Sequence, residues 1–394
     1  MEFLKSVFRI IAKGLKWLLI FVILLMAISA LYNLTLNDSS SVTERLTASQ
    51  KAYIAEYFNL QEEVMSDIWP DYDDIVVPVV VYNEEYAFLV GVADPDSGWF
   101  KMPSMEHRGD EWKVVEDDDF YGEQYYRQYL PDPNITPENF TVKVGSTWVS
   151  TMQTREFAEV SFYNGFKNEL PPGINLIFPY KIFWNLIMGE AESYTAGLIH
   201  EAFHGYQGSR TIEKFSKAEF FAQKSNEYPW HLDGNRIGWR DEADLLMKAY
   251  DSGNDADARQ FIREYLNVRD ERRKKTELTE EMIEYEKNRE WLEGLAKYTE
   301  LKIGMVADEK SGYEPVTEIK ELGDFNNYNK RDEYFRNQLS EVPRAAARSG
   351  ESRFYYGGML QAMLLDRMAP GWKNEIFDED KFLEDLLRKS VSEI

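Results

Sequence analysis

The sequence predicts an α+β protein: a mixed α/β N-terminal lobe with strands is followed by a mostly helical C-terminal lobe, and one apolar N-terminal helix precedes both. Three observations favour this arrangement. Residues 17–32 carry no charged side chain. Short runs rich in β-branched and aromatic residues fill much of 75–184, and apolar residues recur at helical spacing over most of the chain after 186. With 394 residues, 44% of them hydrophobic, the chain is long enough to bury a large core.

The uncharged run predicts a transmembrane anchor over residues 17–32. A helix of this length reaches about 24 Å, and Lys16 extends the span because its aliphatic stem can lie in the apolar zone. Residues 1–16 form a basic amphipathic segment, expected on the cytoplasmic side. Its cationic side chains share one helix face, which is typical of a helix on an anionic membrane surface: Lys5, Arg9, Lys13 and Lys16.

The positive charge before the anchor predicts the orientation of the chain. It places the N-terminus in the cytoplasm, so we expect a single-pass protein of the cell membrane whose remainder is extracellular. The alternative is a secretory signal cleaved near the small residues Ser29 and Ala30, after which the remainder would be secreted. Both alternatives export everything that follows.

A polar linker over 33–42 leads into the α/β lobe, which we assign to 43–206. An amphipathic helix is expected at 43–68. The runs 75–82 and 86–92 flank Asn83-Glu84-Glu85 and predict a hairpin, with Pro78 indicating an edge strand. The segment 93–139 has the composition of long surface loops. Further strands are expected at 140–149, 157–163 and 174–183.

The helical lobe is assigned to 207–394. Gly205 and Gly304 are expected to end helices, and Thr276 or Thr279 to begin one. The helical period predicts helices near 187–206, 237–251, 256–269, 277–303, 327–342, 353–368 and 378–391.

The composition excludes several classes of function. The net charge of −24 argues against nucleic acid as a partner, because nucleic-acid binding uses a basic surface. There are no cysteines, which excludes disulfides, thiolate metal sites and cysteine nucleophiles. A site for a soft metal must therefore use histidine and carboxylate ligands.

Two of the four histidines lie four positions apart in Leu-Ile-His-Glu-Ala-Phe-His-Gly, residues 198–205. On a helix His200 and His204 share one face, so both imidazoles can reach one ion. Glu201 lies one step around the helix, where it can take a proton from an attacking water without being a ligand. This is the His-Glu-x-x-His pattern of zinc hydrolases. The alternative is a buried helix whose histidines bond to neighbouring groups.

A catalytic zinc ion usually has a third protein ligand, for which His107 and His231 are candidates. A later stretch, Glu290-Trp-Leu-Glu-Gly, resembles the corresponding segment of the glutamate-ligand zinc peptidases, the gluzincins, which include thermolysin and the membrane-bound alanyl aminopeptidases. The resemblance implies that Glu293 is the third ligand, with Glu290 and Glu300 as rivals. The stretch is one residue shorter than the Trp-Leu-x-Glu-Gly pattern, and its interval from His204 is much longer than in typical aminopeptidases.

The resemblance further implies a zincin-like fold and a membrane-anchored zinc metallopeptidase. It would hold Zn²⁺ by His200, His204 and Glu293, use Glu201 as general base, and hydrolyse a peptide or protein substrate. Its other partner would be the lipid bilayer, through the N-terminal helix. Two alternatives remain: a zinc hydrolase acting on a non-peptide amide or ester, and an inactive zincin-like ectodomain that serves as a binding or scaffolding module.

Several other residues are weaker candidates. An oxyanion could be stabilised by a residue of the stretch that begins at Arg353, or by His231. Glu242 or Asp244 could hold the second nitrogen of a ligand imidazole, although surface salt bridges are the simpler expectation. The runs 71–74 and 116–119 lack the spacing of a calcium loop, and 269–275 is expected to be a charged helix end. The oxyanion candidates of the stretch are Arg353, Tyr355 and Tyr356.

Overall fold

The computed structural model describes residues 2–40, 42–72, 75–132, 134–138 and 141–392, and the side chains of all these except 2–12 and 187. The predicted α+β class is confirmed. Some positions named above lie outside this description. They are Phe140, where one strand was expected to begin, residues 73 and 74 of the acidic run 71–74, and the side chains of Lys5 and Arg9. The strands are β1 Val79–Tyr82, β2 Tyr86–Val90, β3 Trp99–Lys101, β4 Glu106–Arg108, β5 Lys113–Val114, β6 Tyr126–Tyr129, β7 Val142–Val144 and β8 Thr147–Gln153.

Helices make up most of the remaining described structure. A π-helical turn, Glu290–Gly294, lies between the eleventh and twelfth helices. The helices are α1 Glu2–Asn33, α2 Ala48–Glu63, α3 Met65–Ile68, α4 Arg155–Glu169, α5 Ile174–Ile177, α6 Tyr180–Met188, α7 Ala191–Arg210, α8 Ile212–Ala222, α9 Asp233–Asp251, α10 Asp255–Lys275, α11 Glu280–Arg289, α12 Leu295–Glu309, α13 Thr317–Lys320, α14 Arg331–Ala347, α15 Ser352–Met368 and α16 Leu383–Ser392.

The eight strands form one sheet in the order β4-β3-β7-β8-β1-β2-β6-β5. The pairing of β1 with β8 is parallel, and the other pairings of the described strands are antiparallel. Alternate residues of β1 enter different cores: Val79 and Val81 join the main core, whereas Val80 and Tyr82 join a second core on the opposite face. The main core also takes in residues of α2, α7, α12, α15 and α16, so the two predicted lobes share it.

Helix α1 contains the apolar run at the N-terminus. Among the described residues, the segment Lys13–Asn33 is the one helix long and apolar enough to cross a membrane. Its side chains are almost all exposed. A signal sequence near an N-terminus meets the same test of length and composition, so the segment fits both alternatives given above.

The hairpin at 75–92 is confirmed, but the position assigned to its first strand was wrong. β1 pairs with β2 and also with β8, so it lies inside the sheet. Pro78 is tolerated because it precedes the first ladder residue, and its carbonyl accepts a hydrogen bond from Ser150. The segment expected to form long loops contributes β3 to β6, and the run expected as one strand at 140–149 forms β7 and β8 around Gly145.

Two predicted strands are helices. The run 157–163 lies in α4, which begins after Thr154, whose side chain accepts a hydrogen bond from Phe157 N. The run 174–183 forms α5 and the start of α6, and Pro179 lies between these two helices. Their aromatic residues favour strands locally, but here they pack on each other at helical spacing in a small core of their own, around Tyr163, Tyr180 and Trp184.

The predicted helices of the C-terminal lobe are confirmed with shifted ends. Thr279 begins α11 as expected, and its hydroxyl accepts a hydrogen bond from Met282 N. The two expected stops were wrong: α7 runs past Gly205 to Arg210, and α12 runs past Gly304 to Glu309. Close packing against these helices explains why the two positions are glycine. A Cβ at Gly304, for example, would lie 2.4 Å from the side chain of Arg331.

Candidate metal centre

Helix α7 carries the His-Glu-x-x-His residues and packs between the sheet and the helical lobe. One side of it faces β8 and another faces α12. Small residues allow this close approach, since a Cβ at Gly208 would lie 2.4 Å from the ring of Trp148. The fold therefore holds the first two candidate ligands on a rigid, buried helix.

The third candidate ligand comes from the π-helical turn Glu290–Gly294, which joins α11 and α12 into one continuous helix. Such a turn widens the helix locally and often occurs at functional sites. Gly294 packs against Gly358 of α15, where an added Cβ would lie 2.5 Å from Gly358 Cα.

The structure brings the three predicted ligands together. Glu293 Oε2 lies 3.4 Å from His200 Nε2 and 3.5 Å from His204 Nε2. One ligand atom from each of the three residues lies within 4.8 Å of the other two, and all three residues are buried. Among the described residues this is the one group of His, Cys, Asp and Glu side chains that meets this test.

These separations fit a zinc ion. Ligand bonds of about 2.0–2.1 Å in a tetrahedral arrangement place the ligand atoms roughly 3.4 Å apart. The two distances from Glu293 Oε2 to the imidazole nitrogens match that value. Glu293 Oε2 is also buried without a hydrogen-bond partner, although a buried polar atom normally has one. A cation between the three side chains would satisfy it.

The other atoms of the three side chains are fixed by neighbours. Glu293 Oε1 accepts a hydrogen bond of 2.7 Å from Arg289 Nη2, which also reaches Glu351 Oε2 at 2.7 Å. His200 Nδ1 lies 3.1 Å from Glu300 Oε2, and Lys297 binds the other oxygen of Glu300. These contacts place the Nδ1 proton of His200 on the carboxylate side and leave its Nε2 lone pair for a metal.

Gln207 performs the same role for His204 and adds a second contact. Its Oε1 lies 2.9 Å from His204 Nδ1, and its Nε2 donates to the carbonyl oxygens of Trp291 and Leu292 at 3.0 and 3.2 Å. Those carbonyls belong to the π-helical turn just before Glu293. One amide therefore orients one candidate ligand and connects its helix to the segment that carries another.

The charges around the imidazoles favour a cation between them. Burial alone would lower the pKa of His200, but the nearby carboxylates of Glu293 and Glu300 outweigh it and raise the pKa to about 10. The pKa of His204 is likewise raised, because Glu293 outweighs the effect of burial. Burial would raise the pKa of Glu293, but Arg289 and the two histidines hold it well below its usual range. A divalent metal ion meets the same electrostatic demand by replacing protons on the imidazoles.

Glu201 lies beside this group without being one of its three members. Burial raises the pKa of its carboxyl group, and the two histidines partly oppose the rise. Glu293 and Glu300 add to it through their negative charge. Such an environment makes a carboxylate a better proton acceptor than it is in water.

The rival ligands lie elsewhere or have other partners. Glu290 forms an ion pair of 2.7 Å with Arg269, and Glu300 bonds to His200 as a neighbour. His107 lies in β4 with its Nε2 3.0 Å from Ser97 O, and His231 lies beside Ser349. Neither histidine belongs to the buried group.

Of the oxyanion candidates, Tyr355 adjoins the ligands. Its ring stacks on that of His200, with centroids 5.9 Å apart and planes 11° apart. Burial and the charge of Glu293 raise its pKa well above the usual value, so it stays a hydroxyl that can donate. Arg353 is buried beside the rings of Trp230 and Trp239, and the Tyr356 hydroxyl donates to Gln338.

The expectation of surface salt bridges near 242 was wrong for Glu242. This residue is 1% exposed and forms an ion pair with Arg272 in a buried cluster, while Asp244 is exposed. The charged helix end at 269–275 contributes three arginines to that cluster, where they meet Glu286, Glu290 and Glu384: Arg269, Arg272 and Arg273. The sequence showed the charges but not that several helices enclose them.

Sequence reasoning also missed several residues around the site. Gln207 and Arg289 bond to the ligands His204 and Glu293 on their own helices, and each also contacts a segment far away in the chain. Glu219 of α8 faces the same charges, and burial raises its pKa to about 7 although Arg289 and His204 act against the rise. The available signals were the positions of Gln207, three residues after His204, and Arg289, four residues before Glu293, since each shares a helix face with a ligand.

Comparisons with known proteins add no assignment. No protein-family model, no curated protein and no solved structure matches the chain.

Proposed function

We propose that this chain is a gluzincin-type zinc metallopeptidase with a zincin-like fold, anchored in the cell membrane by α1 and acting on peptide bonds outside the cytoplasm. The observation that carries the proposal is the convergence of His200 Nε2, His204 Nε2 and the unpartnered Glu293 Oε2 at spacings that suit tetrahedral zinc. Two imidazoles and one carboxylate favour zinc over calcium or magnesium, which prefer oxygen ligands.

The ligands, Glu201 and Tyr355 each have a separate role in the proposed hydrolysis. A zinc ion, when bound by the three ligands, would supply Lewis acidity that polarises the scissile carbonyl and makes water easier to deprotonate. Glu201 takes a proton from the attacking water while the oxygen of that water bonds to the carbonyl carbon. It then delivers that proton to the amine nitrogen as the carbon–nitrogen bond breaks. Tyr355, whose ring stacks on that of His200, is the residue that we propose donates a hydrogen bond to the carbonyl oxygen as negative charge develops there.

The decisive variant is Glu201→Gln, tested in the detergent-solubilised full chain. We expect it to keep stoichiometric zinc, because Glu201 is not a ligand, and to lose about 10²-fold or more of the rate, because the general base is gone. Zinc is measured by mass spectrometry of the metal, and hydrolysis with a library of quenched fluorescent peptides.

Two further variants control this experiment. Glu293→Gln removes the charged ligand and should lower zinc content, whereas Glu213→Gln, an exposed position on α8, should change neither measurement. Peptide cleavage by Glu201→Gln at the parental rate would refute the assigned base. Zinc binding without cleavage of any peptide, together with cleavage of ester or non-peptide amide substrates, would point to the alternative hydrolase. Full zinc occupancy with no hydrolysis of any substrate would favour the inactive ectodomain.

A further inference from the structure

Helices α5 and α6 present an apolar surface that no described part of the chain covers. Leu176 is 65% exposed, Ile182 60% and Leu186 79%. The opposite side of α6 is apolar too, since Tyr180 and Trp184 are buried in the small core under α4. Apolar residues therefore occupy two opposite sides of α6, and an exposed apolar surface of this kind usually marks a contact with protein or lipid.

This surface continues that of α1. The Asn33 side-chain amide donates to the carbonyl oxygens of Leu176 and Phe178, at 3.1 and 2.8 Å, so the end of α5 is fixed to the end of α1. Farther back along α1, Leu25 and Ile28 line a groove whose other wall includes Ile182 of α6.

The contact fixes the depth of α6 relative to the anchor. Leu25 lies eight residues before Asn33, which corresponds to about 12 Å along a helix. Because Ile182 of α6 and Leu25 of α1 line the same groove, α6 lies beside the last part of the apolar segment rather than beyond it. When α1 crosses a bilayer, the exposed side chains of α5 and α6 meet the acyl chains of the outer leaflet.

The one charged residue of α6 is compatible with this position. Lys181 forms an ion pair with Glu159 of α4, so its charge is neutralised by the protein. Its partner and its long stem allow it to lie near the headgroups while its neighbours enter the apolar layer. The exposed apolar residues of the two helices are Ile174, Leu176, Ile182, Phe183 and Leu186.

We propose that α5 and α6 form a second membrane contact, which dips into the outer leaflet beside α1 and holds the extracellular part of the chain against the bilayer. The inference rests on α1 spanning a membrane but not on the peptidase activity. The proposed membrane contact lies close in the chain to the helix that carries His200 and His204, because only Gly189 and Glu190 separate α6 from α7. A single tether would let the body rotate, whereas two contacts fix which side of α7 faces the lipid.

The absence of cysteines permits a clean test. Single variants of the full chain, Leu186→Cys on α6 and Leu176→Cys on α5, are labelled with nitrobenzoxadiazole and reconstituted into vesicles of phosphatidylcholine and phosphatidylglycerol. Leu24→Cys reports the insertion of α1, and Ile237→Cys, an exposed apolar position on α9, is the matched control. Doxyl-labelled lipid and aqueous iodide serve as quenchers.

We expect doxyl lipid to quench the labels at 24, 176 and 186 severalfold more than the label at 237, with iodide showing the reverse order. Iodide access at 176 and 186 equal to that at 237, with 24 still quenched by lipid, would overturn the second contact and leave the anchor. Protection of 176 and 186 from both quenchers would also overturn it, since protein would then cover the surface. A label at 24 that lipid does not quench would overturn both the anchor and the contact.

Discussion

At the scale of single residues, Gln207 connects the two parts of the candidate metal centre. It orients His204 through one end of its amide and the π-helical turn through the other. Residues that orient a metal-bound histidine in this way commonly contribute a factor of about 10–100 to metal affinity. Gln207 would act on the metal only through its neighbours, which makes it a positioning residue.

We therefore predict that Gln207→Leu lowers zinc affinity by about 10–100-fold. The variant keeps the size of the side chain but loses both hydrogen bonds. Competition with a chromophoric chelator measures the affinity. Gln207→Glu is the informative companion: it keeps the acceptor for His204 but loses the donor to the turn, so it should recover part of the affinity. Affinity at the parental level in Gln207→Leu would exclude the positioning role.

Local spacing explains which site residues could be predicted. His200 and His204 lie about one helical turn apart, so helix geometry alone places their side chains on one face, with Glu201 one step around the helix. Glu293 was named through resemblance to a family, and the structure brings it to the histidines. Glu351 could not be predicted, because its contact with Arg289 joins segments that are far apart in the chain.

At the scale of elements, the crossing of α15 over the π-helical turn determines where Glu293 lies. Gly358 and Gly294 meet there backbone to backbone, and a Cβ at Gly358 would lie 2.4 Å from Glu290 O. Main-chain atoms cannot move aside as a flexible side chain can. The two elements therefore approach this closely only because both contacts are glycine.

We predict that Gly358→Ala destabilises the fold by about 1–3 kcal/mol and weakens zinc binding, because the turn must move away from α15. Gly357→Ala is the control, since its Cβ would meet side-chain atoms alone, Glu290 Oε1 at 3.3 Å and the ring of Trp239 at 3.8 Å, and alanine favours a helix. Denaturant unfolding followed by tryptophan fluorescence gives the stability, and chelator competition gives the affinity. Equal stability and affinity in the two variants would contradict the proposed role of the crossing.

The periodicity of the sequence predicted the helical lobe better than the α/β lobe. Helices such as α9 and α10 bury one face, so their apolar residues repeat clearly. The aromatic runs at 157–163 and 174–183 favour strands as isolated segments, yet they form helices that pack on each other and beside α1. Tertiary packing overrode local preference at these positions.

At the scale of the whole molecule, buried charges join the helices of the C-terminal lobe. Three arginines of α10 meet carboxylates from α9, α11 and α16, and Glu286 and Glu384 are both almost fully buried. Burial would raise the pKa of Glu384, but Arg269 and Arg273 outweigh it and lower the pKa to about 2. The pKa of Glu286 is lowered further by Arg272 and Arg273.

We predict that stability falls as the pH drops from about 4.5 towards 2. Between those values the unfolded chain binds protons that folded Glu384 does not, so acid favours unfolding. Glu384 alone would contribute about 3 kcal/mol, at 1.36 kcal/mol per pKa unit. Denaturant unfolding at several pH values measures the slope.

Glu384→Gln should flatten that slope, whereas Glu379→Gln, an exposed position in the same region, should leave it unchanged. A slope in Glu384→Gln as steep as in the parent would show that other groups govern acid unfolding. The composition gave the number of charges but could not reveal this arrangement, because burial depends on how α9, α10, α11 and α16 come together.

The π-helical turn has a consequence for how the length of its helix can vary. Arg289 lies before the turn and Glu300 after it, and both contact the metal centre. Deleting one residue between them would rotate everything downstream by about 100° about the helix axis, so Glu300 would no longer face His200. A π-helical turn contains one residue more than the regular helix would. That additional residue is needed only where both contacts are kept. A homologue that lacks His200 or Glu293 could therefore have a regular helix here, so we expect the residue count of this one segment to vary together with the candidate metal ligands.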